Sequence, residues 1–259
     1  MMVWHDQVAV VTGAARGIGR AVARRLAHEG AAVCVNYAVR ADAADTLVQE
    51  IRAGGGQAIA HCADVADAAQ VAGMIERASS ELGSLSILVN NAGVSLQATL
   101  ETYDPGAMDR MRRVNVDGVI NTIRAAMSGM RERGYGRIVN VTSIAAIGTA
   151  LPGNAFYAAT KAEVAILTKR FAMELGPRGI TVNAVAPGFI RTEMAQNQRS
   201  EQEWQDAAGR ISARAMLGRI GAPDDVANAV AFFAAPESGW VTGQVLAVDG
   251  GRMDYIAAG

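Results

Sequence analysis

The chain has 259 residues, of which 51% are hydrophobic and 19% are charged, and its formal net charge is -1. This balance is typical of a compact globular protein, because disordered chains carry fewer apolar and more charged residues. A nearly neutral chain lacks the basic surface with which proteins wrap nucleic acid or adhere to anionic membranes. The composition therefore favours a protein that acts on small molecules.

No apolar run approaches the ~20 residues of a membrane span, and the N-terminus already becomes polar at residues 5–7. A signal peptide needs a longer apolar segment than this, so we expect a cytoplasmic protein. Cys34 and Cys62 each lie in an apolar run, without a CxxC pair or a histidine cluster at metal-ligand spacing. We therefore predict two core cysteines and no metal site.

Short apolar segments alternate with longer segments of helical periodicity. The first strand is predicted at residues 8–11, and a helix with apolar Ile18, Val22 and Leu26 follows it. Further strands are predicted at 32–35, 58–62, 87–89, 138–141, 181–185 and 245–248, and helices at 42–52 and 67–82. Parallel strands need long crossover connections, so this alternation predicts an α/β fold, a doubly wound parallel sheet (Rossmann fold) with helices on both faces.

No linker, repeat or charge block interrupts the alternation, so residues 1–259 are predicted to form a single domain. The exception to the pattern is a polar, helical stretch at about residues 189–217, inserted before the last helix. Ligands of such sheets bind beyond the carboxyl ends of the strands. We therefore predict that residues 189–217 form a lid over the substrate.

A glycine-rich turn joins the first strand to the first helix and reads TGAARGIG at residues 12–19. Backbone NH groups and the helix dipole at such a turn can receive a pyrophosphate, and glycine allows the close approach. The spacing departs from the GxGxxG fingerprint and resembles the TGxxxGxG loop of the short-chain dehydrogenase/reductase family. A tight glycine turn without a ligand is the alternative interpretation.

The residues after the second strand bear on the choice of dinucleotide. An acidic side chain there would bond the adenosine ribose hydroxyl of NAD(H) and repel the 2′-phosphate of NADP(H). The sequence instead has Asn36 and Tyr37, with Arg16 and Arg40 close by in the chain. Because arginine binds phosphate well, we predict NADP(H) as the cofactor. If both arginines are solvated surface residues, the sequence also allows NAD(H).

Tyr157 and Lys161 are four residues apart and therefore share one helix face. An isolated tyrosine titrates near pH ~10, and a neighbouring ammonium stabilises its phenolate and lowers its pKa. Ser143 follows the strand predicted at 138–141 and could hydrogen-bond a substrate oxygen beside the tyrosine. Tyr-x3-Lys alone is more often a surface pair, but its combination with the glycine turn predicts a catalytic site.

The resemblance to the short-chain dehydrogenase/reductase family extends over residues 8–251 and includes NNAG at 90–93. It implies hydride transfer between nicotinamide and a carbonyl or alcohol carbon, with Tyr157 as the acid/base. It also implies that Lys161 binds ribose hydroxyls and that Asn115 holds a proton-relaying water. The catalytic residues implied are Asn115, Ser143, Tyr157 and Lys161, and the cofactor contacts are Gly13, Arg16, Gly17, Ile18, Gly19, Asn36, Asp64, Val65, Asn91, Ala92, Gly93, Tyr157, Lys161, Pro187, Gly188, Ile190 and Thr192.

Within the family, the runs YGRIVN at 135–140 and RGITVNAVAPG at 178–188 most resemble 3-oxoacyl-acyl-carrier-protein reductases. These runs lie on scaffold strands, so they report lineage better than substrate. A sugar, steroid or secondary-alcohol dehydrogenase of the same family is the alternative. A non-catalytic dinucleotide-binding protein would have no need of the Ser-Tyr-Lys set. The resemblance further implies a homotetramer built through helices around 109–133 and 157–175.

Overall fold

The computed structural model describes residues 4–148, 153–196 and 200–252. Within these residues, one sheet of seven strands has the order β3-β2-β1-β4-β5-β6-β7, and each neighbouring pair is parallel. The strands are β1 Val8–Val11, β2 Ala32–Tyr37, β3 Ala58–Cys62, β4 Ile87–Asn90, β5 Gly136–Val141, β6 Ile180–Pro187 and β7 Val245–Val248. The predicted parallel sheet is confirmed, and the direction of winding reverses between β1 and β4, where such sheets bind ligands.

Helices cover both faces of this sheet. They are α1 Gly17–His28, α2 Ala41–Ala53, α3 Ala68–Leu82, α4 Pro105–Arg112, α5 Gly118–Arg133, α6 Ala155–Leu175, α7 Glu193–Gln196, α8 Glu201–Ser212 and α9 Pro223–Ala234. Buried side chains of α1, α2 and α9 form one apolar cluster with the sheet. Those of α3, α5 and α6 form a second cluster on the opposite face. The sheet is therefore the central layer of three.

The central strand β1 shows why its sequence is continuously apolar. Ala9 and Val11 pack into the cluster with α1, whereas Val8 and Val10 pack into the cluster with α3. Successive side chains of a strand point to opposite faces, so a strand covered on both faces needs an apolar residue at every position. All four residues are accordingly buried.

The helical segment predicted around residues 109–133 is divided in the structure. Helix α4 ends at Arg112, a π-helical turn spans Arg113–Asp117, and α5 begins at Gly118. A side chain at Gly118 would place its Cβ 2.7 Å from a methyl carbon of Val65, so the start of α5 packs closely against the segment that follows β3. Turns of this kind interrupt α-helices most often at functional sites.

One of the two predictions about cysteines is wrong. Cys34 is buried in β2, as predicted, but Cys62 is exposed at the last residue of β3. Strand β3 lies at the edge of the sheet, and its burial decreases toward its end, so the apolar run does not continue into a covered layer. Among the described residues, no three His, Cys, Asp or Glu side chains come together as a metal site, and no helix has the length and apolarity needed to cross a membrane.

Candidate active site

A cavity of about 480 Å³ opens at the carboxyl edge of the sheet. Most of its lining residues follow the ends of strands, within 13–18, 38–40, 63–65, 91–97, 142–145 and 188–193. This volume is within the ~300–1,000 Å³ usual for ligand pockets. The cavity is lined by all of the predicted site residues except Gly19 and Asn115. The fold thus brings together predicted site residues that are as far apart in the chain as Gly13 and Thr192.

The glycine turn has the backbone that its sequence suggested. Gly13 and Gly17 have φ angles of 60° and 55°, in the left-handed region that glycine adopts without strain. A Cβ on Gly13 would also come within 2.9 Å of the Cα of Ala92. Helix α1 begins at Gly17 without a side-chain cap on its first NH groups, which leaves this end suited to an anion.

Hydrogen bonds of Thr12 and Asn91 hold the loop after β4 against the glycine turn. The Thr12 hydroxyl oxygen accepts hydrogen bonds from the backbone NH of Asn91 at 2.9 Å and of Ala92 at 3.0 Å. The Asn91 side chain donates to the backbone oxygens of Thr12 and Gly13. Gly19 packs beneath this contact, since a Cβ there would lie 2.4 Å from the Asn91 amide nitrogen. Gly19 therefore shapes the turn from behind rather than lining the cavity.

Ser143, Tyr157 and Lys161 meet in the cavity, as their spacing predicted. Ser143 follows β5, and the other two side chains lie one turn apart near the start of α6. The Ser143 hydroxyl lies close enough to the Tyr157 phenol to lower the pKa of the phenol. The Lys161 ammonium lies 5.8 Å from the centre of the Tyr157 ring and donates a 2.9 Å hydrogen bond to the backbone oxygen of Val141. A phenol, a hydroxyl and an ammonium therefore line the same cavity as the glycine turn.

The chain is similar over nearly its whole length to proteins of known family. A family model described as "Enoyl-(Acyl carrier protein) reductase" matches residues 13–252. The 3-oxoacyl-(acyl-carrier-protein) reductase FabG of Staphylococcus aureus is 44% identical over 244 residues, which cover 94% of this chain and 96% of the relative. The chain belongs to the short-chain dehydrogenase/reductase family.

Similar solved structures agree with this assignment. The enzyme from Serratia marcescens superposes with a TM-score of 0.87 at 40% identity, over 95% of this chain and 97% of the other. A blue fluorescent protein from a metagenomic library, solved in complex with NADPH, has a TM-score of 0.86 at 40% identity, with 95% and 97% of the two chains covered. This chain is therefore an oxidoreductase of the family, which acts on CH-OH and C=O groups.

The pKa values of Tyr157 and Lys161 differ from the expectation. Burial raises the pKa of Tyr157 to about 12, and the nearby Ser143 side chain offsets only part of this increase. Burial also lowers the pKa of Lys161 to about 8. The predicted lowering of the tyrosine pKa is therefore wrong for the structure, because burial penalises the phenolate more than the neighbouring groups stabilise it.

Asn115 lies in the π-helical turn, and its side chain is fully buried outside the cavity lining. Its amide oxygen accepts a hydrogen bond from the backbone NH of Val94 at 2.8 Å. Its amide nitrogen donates to the backbone oxygen of Val94 and to the hydroxyl of Thr160. The side chain thus fastens the loop after β4 to α6 and positions the helix that carries Tyr157.

Asn36, predicted as a cofactor contact, uses its side chain in a similar way. Its amide oxygen accepts a hydrogen bond from the backbone NH of Gly13 at 3.1 Å, and its amide nitrogen donates to the backbone oxygen of Ala63 at 3.0 Å. These bonds hold the glycine turn against β2 and β3. The side chain lines the cavity, but it is 1% exposed and its hydrogen-bonding groups are already engaged.

Sequence analysis missed a buried polar chain that links β4, β5, α5 and α6. The Thr122 hydroxyl donates to the amide oxygen of Asn90 at 2.7 Å, and the amide nitrogen of Asn90 donates to Asn140 at 2.9 Å. Asn140 in turn donates to the Thr168 hydroxyl at 2.9 Å. Polar residues inside otherwise apolar strands were the available signal, because buried amides need partners. These hydrogen bonds fix the position of α6 relative to the sheet.

The predicted lid at 189–217 begins at the cavity wall. Phe189 lines the cavity and stacks on Trp204 of α8, with 5.2 Å between the ring centres. Helix α8 starts with a capping box in which Ser200 and Glu203 satisfy each other's backbone NH groups. Residues 197–199 of the predicted lid lie outside the described residues. The two aromatic rings connect α8 to the cavity.

Proposed function

We propose that this oxidoreductase uses NADP(H) to interconvert a carbonyl and a secondary alcohol, with Tyr157 as the acid/base, and that its substrate is a 3-oxoacyl thioester. One observation carries the proposal. A single cavity joins the glycine turn, which suits a pyrophosphate, to Ser143, Tyr157 and Lys161, which suit a carbonyl oxygen.

The residues around the cavity fit a dinucleotide. Gly93 lies beside the reactive groups, where a Cβ would be 3.4 Å from the Lys161 ammonium and 3.2 Å from the Asn115 amide oxygen. A glycine there keeps open the space in which a ribose and a flat ring can lie against the backbone. Pro187, Gly188, Ile190 and Thr192 line the same cavity after β6. The nicotinamide, when bound, supplies or accepts the hydride.

In the reducing direction, Tyr157 donates its proton to the carbonyl oxygen as the carbon receives hydride. Its raised pKa of about 12 keeps the phenol protonated at neutral pH, ready to act as the acid. Ser143 hydrogen-bonds the same oxygen and holds it beside the phenol. Lys161, charged below its pKa of about 8, stabilises the phenolate that the transfer leaves. In the oxidising direction the same groups act in reverse.

The preference for NADP(H) rests on charge near the end of β2. No acidic residue occupies positions 36 or 37, and Arg16 and Arg40 both line the cavity there. Two guanidinium groups can bind a 2′-phosphate, whereas NAD(H) would need a carboxylate for its ribose hydroxyl. The similar metagenomic protein solved with NADPH supports the same choice.

The substrate assignment follows the relative of Staphylococcus aureus, which is named for 3-oxoacyl reduction. A sugar, steroid or secondary alcohol is the second candidate, because strands and glycine turns do not define a substrate. We further propose that residues 1–259 form one domain with a lid at 189–217. A homotetramer formed through α5 and α6 would cover Ile166 and Met173, which are 60% and 69% exposed on α6.

The deciding experiment is the initial rate of NADPH oxidation with acetoacetyl-CoA, with NADH run in parallel. Turnover with a strong NADPH preference supports both the thioester and the cofactor. Crotonyl-CoA serves as the control, because it offers a C=C bond in place of the ketone. Turnover of crotonyl-CoA alone would contradict carbonyl reduction. No turnover in a protein that binds NADPH would exclude the thioester and favour the sugar, steroid or alcohol class.

A further inference from the structure

The glutamate that begins α7 lies against both arginines of the proposed phosphate site. A carboxylate oxygen of Glu193 is 3.4 Å from a guanidinium nitrogen of Arg16 and 3.7 Å from one of Arg40. Arg16 belongs to the glycine turn, and Arg40 precedes α2. All three side chains line the cavity. A carboxylate thus bridges two cations contributed by separate parts of the fold.

Carboxylate and phosphate oxygens compete for the same guanidinium groups, because both accept charge-assisted hydrogen bonds from arginine. The side chains of Arg16, Glu193 and Arg40 are 37%, 47% and 47% exposed. Ion pairs with this exposure are weak and screened by water, so an incoming dianion can displace the carboxylate. A phosphate can therefore replace the Glu193 carboxylate between the two arginines.

We propose that Glu193 reduces the preference for NADP(H) by occupying, in the free protein, the arginine pair that a 2′-phosphate requires. This inference rests on the proposed phosphate site at Arg16 and Arg40. A ligand with a 2′-phosphate must displace the carboxylate, whereas a ligand without one leaves the bridge in place. Glu193 thus weakens NADP(H) binding selectively and narrows the difference in affinity between the two cofactors.

Contacts of the segment after β6 place Glu193 beside the two arginines. The preceding residue, Thr192, packs on the glycine turn, because a Cβ on Gly17 would lie 3.4 Å from its methyl carbon. The Thr192 backbone oxygen accepts hydrogen bonds from the backbone NH groups of Ala195 and Gln196 in α7. These contacts of Thr192 hold the Glu193 backbone close to the glycine turn. The Glu193 carboxylate therefore lies at the arginine pair before a ligand binds, where it competes with a phosphate.

The test compares wild type, Glu193→Gln and the control Glu76→Gln in binding adenosine 2′,5′-bisphosphate and AMP. Glu76 is exposed on α3 and lies outside the cavity lining, so its substitution removes the same net charge elsewhere. We expect Glu193→Gln to tighten bisphosphate binding about three- to tenfold and to leave AMP within about twofold. Glu76→Gln should change neither. Calorimetric titration at one fixed salt concentration measures both ligands.

A double-mutant cycle adds Arg16→Ala and Arg40→Ala to both the wild type and Glu193→Gln. If Glu193 acts through the arginines, its substitution has no effect on bisphosphate affinity once both are removed. Unchanged bisphosphate affinity in Glu193→Gln, or an equal change for AMP, would overturn the inference. A wild type that binds NADH more tightly than NADPH would instead contradict the proposed cofactor. The bisphosphate comparison would still decide the role of Glu193, because that ligand carries the phosphate without nicotinamide.

Discussion

The ammonium of Lys161 on α6 donates its 2.9 Å hydrogen bond to the backbone oxygen of Val141, the last residue of β5. The lysine is thus held at the carboxyl end of β5, and its ammonium lies 5.8 Å from the centre of the Tyr157 ring. A single carbonyl compensates only part of the cost of removing an ammonium from water. The lowered pKa of about 8 follows from this imbalance.

Because the buried ammonium is poorly compensated, we expect Lys161→Met to be more stable than wild type at neutral pH. The same change should abolish activity, since it removes the charge that stabilises the phenolate. The folded pKa of about 8 lies below the ordinary 10.5, so the unfolded chain binds more protons between these values and stability rises with pH there. Below pH 8 the buried charge costs about 3 kcal/mol. Loss of the hydrogen bond to Val141 offsets about 1 kcal/mol of the gain. Urea unfolding should show a gain of about 2 kcal/mol at pH 7 that disappears by pH 10.5.

Lys169→Met is the matched control, because Lys169 is exposed on the same helix. Its removal should change stability by less than about 0.5 kcal/mol at either pH. A loss of stability in Lys161→Met at pH 7 would contradict the account of a buried, poorly compensated charge.

Tyr157→Phe should lower turnover by about 10²- to 10⁴-fold and leave NADPH affinity within about threefold, because the change removes only the transferable proton. Steady-state rates and a fluorescence titration measure the two effects. The control is Tyr135→Phe, since the buried Tyr135 hydroxyl has no hydrogen-bond partner among the described residues. Full turnover in Tyr157→Phe would show that another group supplies the proton.

The buried polar chain predicts different costs for two threonines that each donate to a carbonyl four residues earlier. Thr168 also accepts the hydrogen bond of Asn140, whereas Thr46 is exposed on α2. Thr168→Val leaves the buried Asn140 amide without an acceptor and should cost about 1–3 kcal/mol. Thr46→Val should cost less than about 0.5 kcal/mol. Equal midpoints in urea would show that the polar chain contributes nothing to stability.

The stacked pair of Phe189 and Trp204 predicts an effect on substrate rather than on cofactor. Trp204→Ala removes the ring that holds Phe189 at the cavity wall, and we expect KM for the carbonyl substrate to rise about tenfold. NADPH affinity should stay within about twofold. Trp240→Ala, which removes a ring that is 99% exposed, should change neither value. An unchanged KM in Trp204→Ala would argue against α8 as part of a substrate lid.

Features with local causes were predictable from the sequence. The continuous apolar run of β1 indicated burial on both faces, and alternation with helices indicated parallel strands. The glycine turn and the four-residue spacing of Tyr157 and Lys161 each depend on neighbours in the chain, so their geometry followed from backbone conformation alone. The other segments that line the cavity were expected from the resemblance to the family and from the rule that ligands bind beyond the carboxyl ends of parallel strands.

Only the tertiary structure decided which partners the polar side chains at the cavity bond and how far their pKa values shift. The carboxylate of Glu193 reaches Arg16 across 177 positions of the chain, and no local pattern marks that pair. The amides of Asn115 and Asn36, two predicted site residues, bond backbone groups around the cavity, and Asn115 also donates to the Thr160 hydroxyl. The raised pKa of Tyr157 likewise depends on how deeply the packed fold buries its phenol. Hydrogen-bond partners and burial arise from contacts between distant segments, whereas periodicity and turn conformation arise within one.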